Sequence, residues 1–252
     1  QAGDFLVRAA DRLHEVRIET KGPNDYVSEL DREAERRIIE ILRRAYPDHA
    51  ILAEESGASG DNAFEWVIDP LDGTTNFLHG VPFYCVSIAL RVRGRLECGV
   101  VYDPVHNDLF TAARGAGARL NDHRLRVTAR QDLAGALIGT GFPFRAHTHL
   151  DGYLAAFKEL CVQTGGMRRA GAAALDLAYV AAGRFDGFWE LGLSPWDIAA
   201  GALLVQEAGG TVTDLAGGAD FLDTGNVVAG NVRVARALRT AIAPHLTATA
   251  RA

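Results

Sequence analysis

Residues Glu65–Asn76 read EWVIDPLDGTTN, and the interpretation of the whole chain turns on them. Trp66-Val67-Ile68 is a short apolar run that predicts a buried strand ending in Asp69. Pro70 fixes φ and is expected to stop the ladder there. A second carboxylate, Asp72, comes three residues after the first and is followed by Gly73, Thr74 and Thr75. Gly73 lets backbone approach a ligand with no Cβ in the way. Thr74 and Thr75 bring hydroxyls and N–H groups to the point where a helix would begin, a natural seat for phosphate. Taken alone, D-x-x-D-G is equally an acidic strand-to-helix turn with a capping residue. Carboxylates elsewhere in the chain have to decide.

Upstream, Phe5, Leu6, Ala9, Ala10, Leu13 and Val16 recur at helical spacing and predict an amphipathic first helix rather than a signal peptide. Residues 21–25 are turn chemistry. Ser28 opens a second helix with Ala34, Ile38, Ile39, Ile41 and Leu42 on its apolar side, and Asp31 fits a loose capping box with Ser28. Its arginines, interleaved with glutamates, read as a solvated face. Residues 50–53 form a short strand running into Glu54-Glu55, and 57–62 read as a polar loop able to act as a flap.

Downstream, 84–92, 96–102 and 108–112 are β-rich runs separated by turn residues, the pattern of an antiparallel meander, with a further hairpin over 119–125. A strand over 136–140 leads to a helix over 150–162. A small-residue helix spans 175–182, and a strand over 185–190 ends in Glu190. Ser194-Pro195-Trp196-Asp197 starts a helix by rule: Ser as N-cap, Pro at the first position, Asp in the first turn. Strands near 211–213 and 226–229, a loop at 216–219 between them and a helix from Val232 complete the chain.

Composition bounds the function. The chain has 252 residues, 48% hydrophobic and 23% charged, which is an ordinary folded protein with ample core. A net charge of −6 argues against a general nucleic-acid or anionic-membrane surface, and an anionic substrate on such a protein needs a cation between them. No apolar run approaches a membrane span. Cys85, Cys98 and Cys161 lie far apart without C-x-x-C spacing and read as buried free thiols, as expected in a reducing cytoplasm.

The chemistry lies in Glu54, Asp69, Asp72 and Asp197, each at the end of an apolar strand or the start of a helix. Were they to converge, two charges ~5 Å apart would cost about 3 kcal/mol at an effective dielectric near 20. Bound cations would hold such a cluster ionised. All-oxygen donors point to Mg²⁺, with Mn²⁺ as substitute, rather than zinc. Mg²⁺ usually shares carboxylates with substrate phosphate, so the site reads as metal-assisted phosphate-ester chemistry. His79, nearby, reads as a surface or packing residue.

Three ordered motifs, Ala53-Glu54-Glu55-Ser56, Trp66–Asn76 and Trp196-Asp197-Ile198-Ala199-Ala200-Gly201, together resemble the inositol monophosphatase family. Residues 141–144 and 175–184 bring the chain nearest to its bacterial SuhB-type branch. The likeness runs over 1–252 and implies one α+β domain, with sub-regions of roughly 1–145 and 146–252, folded as a layered α-β-α-β-α sandwich of the inositol monophosphatase and fructose-bisphosphatase type. It implies a cytoplasmic, homodimeric, Li⁺-sensitive phosphomonoesterase that uses two to three Mg²⁺ per site on inositol 1-phosphate or related polyol and sugar phosphates. Residue by residue, Glu54, Asp69, Asp72, Asp197 and the Leu71 carbonyl match the metal ligands. Asp31 and Thr74 match the pair that orients and deprotonates the attacking water, with Glu54 at the same catalytic centre. Gly73 and Thr74 match the phosphate seat of the substrate site. Gly171, Ala172, Ala173 and Glu190 match the wall that meets the ring hydroxyls, Arg168 matches a basic substrate residue, and Leu71, Asp72 and Asp197 count among the substrate-binding residues as well as the metal ligands. The pattern after the arginines is commonly G-[S/T]-A, so Ala172 withholds a hydroxyl. The SuhB-type branch also implies the alternative of a regulatory partner of the transcription machinery in ribosomal-RNA antitermination.

Overall fold

The computed structural model describes residues 1–10, 18–22, 25–143 and 147–246. Helix α1 (Ala2–Ala10) is followed by the hairpin of β1 (Ile18–Gly22) and β2 (Asp25–Ser28) and by α2 (Glu29–Ala45). Next come β3 (Ala50–Ala53), β4 (Gly57–Ser59), β5 (Phe64–Asp72), α3 (Thr74–Leu78), β6 (Cys85–Val92), β7 (Arg95–Asp103), β8 (Asp108–Ala113), β9 (Gly117–Leu120) and β10 (His123–Arg124). The second part holds β11 (Leu137–Thr140), α4 (Leu150–Gln163), β12 (Gly166–Arg168), α5 (Ala173–Ala181), β13 (Gly187–Glu190), α6 (Pro195–Glu207), β14 (Thr211–Thr213), α7 (Phe221–Thr224), β15 (Val227–Gly230) and α8 (Val232–Ile242).

An eight-stranded sheet runs β10-β9-β8-β7-β6-β5-β3-β4, and a five-stranded sheet runs β12-β11-β13-β15-β14. Both are mixed: β3 is parallel to β5, and β11 is parallel to β12 and β13, while the remaining pairs in these sheets are antiparallel. Helices α1 and α2 pack on one face of the larger sheet. Helices α5 and α6 fill the space between the sheets, and α4 and α8 cover the far face of the smaller one. The order of layers is therefore α-β-α-β-α, as expected.

Three apolar clusters hold these layers. Leu6, Ala34, Ile38, Ile68 and Phe77 pack under the outer helices. Ile138, Tyr153, Trp189, Val234 and Leu238 pack beneath α4 and α8. The largest surrounds α5 and α6 and is rich in alanine. Small residues allow those two helices to approach each other closely: a Cβ on Gly201 would come within 2.5 Å of the Leu177 Cβ.

Several expectations are corrected. β5 does not stop at Pro70 but continues to Asp72 through a register shift, with Asp69 opposite Ser87 and Asp72 opposite Cys85. Three steps on β5 thus face two on β6, and Pro70 is tolerated because it sits in this bulge. The expected polar flap over 57–62 begins with β4, paired to β3. Of the turn expected over 21–25, Lys21, Gly22 and Asp25 belong to the unanticipated strands β1 and β2, and residues 23 and 24 lie outside the described residues. So do Leu13 and Val16 of the first helix and the side chain of Ser28. β12 and α7 are further elements that turn-rich, small-residue sequence concealed. Of the three cysteines, all free, Cys85 is buried, Cys98 half-buried and Cys161 exposed.

Candidate metal and phosphate site

The ends of β3 and β5 and the starts of α5 and α6 meet at one cavity. Glu54 follows β3, where its N–H donates to the Ile68 carbonyl at 3.1 Å and extends the parallel ladder by one rung. Buried Glu35 of α2 accepts the N–H groups of Glu55 at 2.8 Å and Ser56 at 2.9 Å, so the turn carrying Glu54 is fixed from below. Asp69 and Asp72 sit three residues apart on β5. In a regular strand they would point to opposite faces. The extra residue of the bulge cancels that alternation, and both join Asp197, with ligand oxygens of the three all within 4.8 Å of one another.

Each carboxylate of the trio is also held by backbone. Asp69 Oδ1 accepts the Leu71 N–H at 2.9 Å. Asp72 Oδ2 accepts the Ala174 N–H at 2.7 Å and the Cys85 thiol at 3.7 Å. Ala172, the residue preceding α5, has no hydroxyl to cap that helix, and Asp72 satisfies one of its free N–H groups instead. Asp197 Oδ2 accepts the Ser194 N–H at 2.7 Å, the return half of a capping box that fixes the first turn of α6. Ser87 Oγ donates to the Trp196 carbonyl at 3.1 Å and ties that turn to β6.

Such convergence is electrostatically costly without a cation. Burial first, then Glu54, Asp72 and Asp197, push the Asp69 carboxyl well above its ordinary value. Burial and then Asp197 push Asp72 up to about 7, against the pull of the α5 N–H groups. Burial and then Asp72, Asp69 and Asp103 also raise the Cys85 thiol, which keeps it a neutral donor. A hard dication is what this donor set fits: only oxygen ligands, mutually repelling, in a buried cup.

Beside the trio, Gly73 adopts φ +93°, and a Cβ there would press within 3.0 Å of the Phe83 carbonyl and 3.2 Å of the Ala172 Cβ. Thr74 Oγ1 lies 3.1 Å from Asp31 Oδ1 and 3.0 Å from the Leu71 carbonyl oxygen. Asp31 and Thr74, 43 residues apart in sequence, therefore meet, with fully buried Asp31 standing behind Thr74.

A cavity of about 380 Å³ opens over these groups. Its lining brings together Glu54, Asp69, Leu71, Asp72, Gly73, Thr74, Gly171, Ala172, Ala173, Glu190 and Asp197 from the sequence-predicted set, with His79 at the exposed rim. Of the rest of that set, Asp31 lies behind Thr74 and Arg168 lies away from the cavity. Arg168 is exposed on β12, where its Nη1 donates to the Met167 carbonyl at 3.0 Å, and its neighbour Arg169 lines the cavity in its place. Adjacent arginines on an extended strand point to opposite sides, so sequence alone could not choose between them. Phe142, Asn76 and Glu35 also went unassigned. Asn76 lay inside the quoted motif, and its amide donates to the carbonyls of Phe83 at 2.7 Å and Ala170 at 2.8 Å.

The comparisons agree with this architecture. The family model described as the inositol monophosphatase family matches residues 1–250. The chain is 58% identical over 251 residues to a Pseudomonas aeruginosa protein called Nus factor SuhB, covering 97% of this chain and 93% of that one. A crystal structure of the extragenic suppressor protein suhB from Bartonella henselae superposes with a TM-score of 0.93 at 48% identity, covering 96% of this chain and 93% of that one. The structure of an inositol monophosphatase from Anabaena gives 0.86 at 41%, with coverage of 96% and 91%. With its bulged D-P-L-D-G strand end, its buried carboxylate trio and a match over nearly its full length, this chain belongs to the inositol monophosphatase family.

Proposed function

We propose that the cavity is the active site of a metal-dependent phosphomonoesterase acting on inositol 1-phosphate and related small polyol or sugar phosphates. The observation that carries this reading is the convergence of Asp69, Asp72 and Asp197 next to the glycine-threonine turn. Glu54, Asp69, Asp72, Asp197 and the Leu71 carbonyl would hold two to three Mg²⁺, or Mn²⁺. Bound there, hard dications supply nucleophile activation and charge neutralisation for in-line phosphoryl transfer. The rest falls to the chain. The N–H groups of Gly73 and Thr74 hold the phosphate oxygens. Thr74 Oγ1 accepts the proton of the attacking water and passes its own to Asp31, to which it is already hydrogen-bonded. Glu190 accepts from the hydroxyls of the leaving group. The test is phosphate release from inositol 1-phosphate with Mg²⁺, with EDTA, and with Mg²⁺ plus Li⁺. Release that stops in EDTA and falls with Li⁺ supports the reading; release indifferent to EDTA sinks it.

A second reading has its own support and is the one favoured by the relatives' names. Proteins 58% and 51% identical to this chain are called Nus factors. By that likeness the chain is a cytoplasmic partner of the transcription machinery, with or without turnover at the cavity. Tagged protein carrying Asp72→Asn should then capture transcription proteins as well as the native chain does. Capture by neither form contradicts this role, and capture by the native form alone would make it depend on the metal site.

A further inference from the structure

The absent hydroxyl at Ala172 leaves the ring side of the cavity short of a donor. Arg169 stands there. It is the one cation lining the cavity among the described residues, facing Glu54, Asp69, Asp72, Glu190 and Asp197, yet it forms no ion pair with a described residue. Its Cζ lies 5.2 Å from the centroid of the half-exposed Phe142 ring, which in turn packs edge-on against Tyr153.

This placement is built into the backbone. Gly171 has φ +96°, and a Cβ there would come within 2.7 Å of the Arg169 Nη1 and 3.0 Å of the Asn76 Nδ2. The Asn76 amide, bonded to the Phe83 and Ala170 carbonyls, clamps the same loop onto α3. The guanidinium also reaches the Glu190 side of the cavity electrostatically. It pulls down the buried Asp176 carboxyl, which burial and then Glu190 push well up.

We propose that Arg169 is a specificity-determining residue, donating to hydroxyls of a neutral polyol leaving group where Ala172 cannot, while Glu190 accepts from them. A hydroxyl both donates and accepts, so a guanidinium beside a carboxylate reads a polyol. The nearby carboxylate opposes a second anionic group on the substrate, and the Phe142 ring offers an apolar face to C–H groups. This rests on the phosphate-seat reading above, which orients the ester with its leaving group toward Glu190.

The test is calorimetric binding of myo-inositol 1-phosphate and, separately, of inorganic phosphate. Both are titrated with Ca²⁺ present, into the native chain, Arg169→Ala, Arg169→Lys and Arg169→Ala/Ala172→Ser, with thermal melts confirming folding. Loss of a charged hydrogen bond predicts about tenfold weaker inositol 1-phosphate binding in Arg169→Ala, with phosphate changed by less than about twofold. Arg169→Lys should be intermediate, and the added serine should recover part of the loss. Equal weakening of both ligands, or of neither, overturns the proposal. Selective binding through Arg169 without phosphate release in Mg²⁺ would sink the hydrolase reading and leave this inference standing. Mg²⁺-dependent release from p-nitrophenyl phosphate, with inositol 1-phosphate bound no more tightly than phosphate, would do the reverse.

Discussion

Asp72 accepts the Ala174 N–H at 2.7 Å while its other neighbours, Asp69 and Asp197, repel it. Its carboxyl is raised from an ordinary 3.8 to about 7. In the metal-free protein the folded chain therefore holds a proton that the unfolded chain releases near pH 4. Between those two values the folded state binds more protons, so this group's stabilisation is complete below about pH 4 and is lost as pH rises through about 7. Cation binding needs the ionised form, so the rise in melting temperature on adding Mg²⁺ should grow from pH 5 to pH 8. A shift equal at both pH values would contradict the cluster as its source. An amide at position 72 keeps an acceptor for α5 but removes the repulsion. Metal-free Asp72→Asn is expected to be more stable at pH 8 by about 1 kcal/mol, roughly 2–4 °C in melting temperature. It should lose the response to Mg²⁺, and a lower melting temperature would show that its capping role dominates.

At the scale of elements, the bulge in β5 and the N-termini of α5 and α6 do what single residues cannot. The bulge turns Asp69 and Asp72 to the same side, and the helix starts bring Asp197 and a backbone donor to meet them. Asn76 then locks α3 to the loop before α5. Asn76→Ala leaves two part-buried carbonyls without this donor and is expected to cost about 1 kcal/mol in chemical denaturation. A change under about 0.5 kcal/mol would mean that water replaces the amide. Some of these devices were legible and some were not. The Ser194-Pro195-Trp196-Asp197 start carries its signal within four residues, and α6 begins as read. The bulge is invisible to periodicity because Pro70 is an equally good sign that a strand ends. β4 and β12 are three residues each and gain their identity from partners far along the chain.

Over the whole molecule, the layering followed from the family resemblance, and the contacts bear it out. Alternation in 84–113 marked the meander, but nothing local in the alanine-rich run at 173–181 says that α5 lies between two sheets. Its all-round burial does. The site was legible to the extent that carboxylates at element ends announce themselves. Asp31 fits a helix cap by local pattern and its place beside Thr74 came only from the family resemblance, and two adjacent arginines did not reveal that Arg169 rather than Arg168 lines the cavity. The carboxylate trio lies between the sheets, leaving the outer faces of α2, α4 and α8 to surfaces that the cavity does not touch.

The account rests on Asp69, Asp72 and Asp197 forming a cation site. Its most direct test is anomalous diffraction from crystals soaked in Mn²⁺. The prediction is a strong anomalous peak bounded by carboxylate oxygens of these three residues and lost in Asp72→Asn crystals. Crystals of the native protein with no peak at the trio, or a peak that survives Asp72→Asn unchanged, would contradict it.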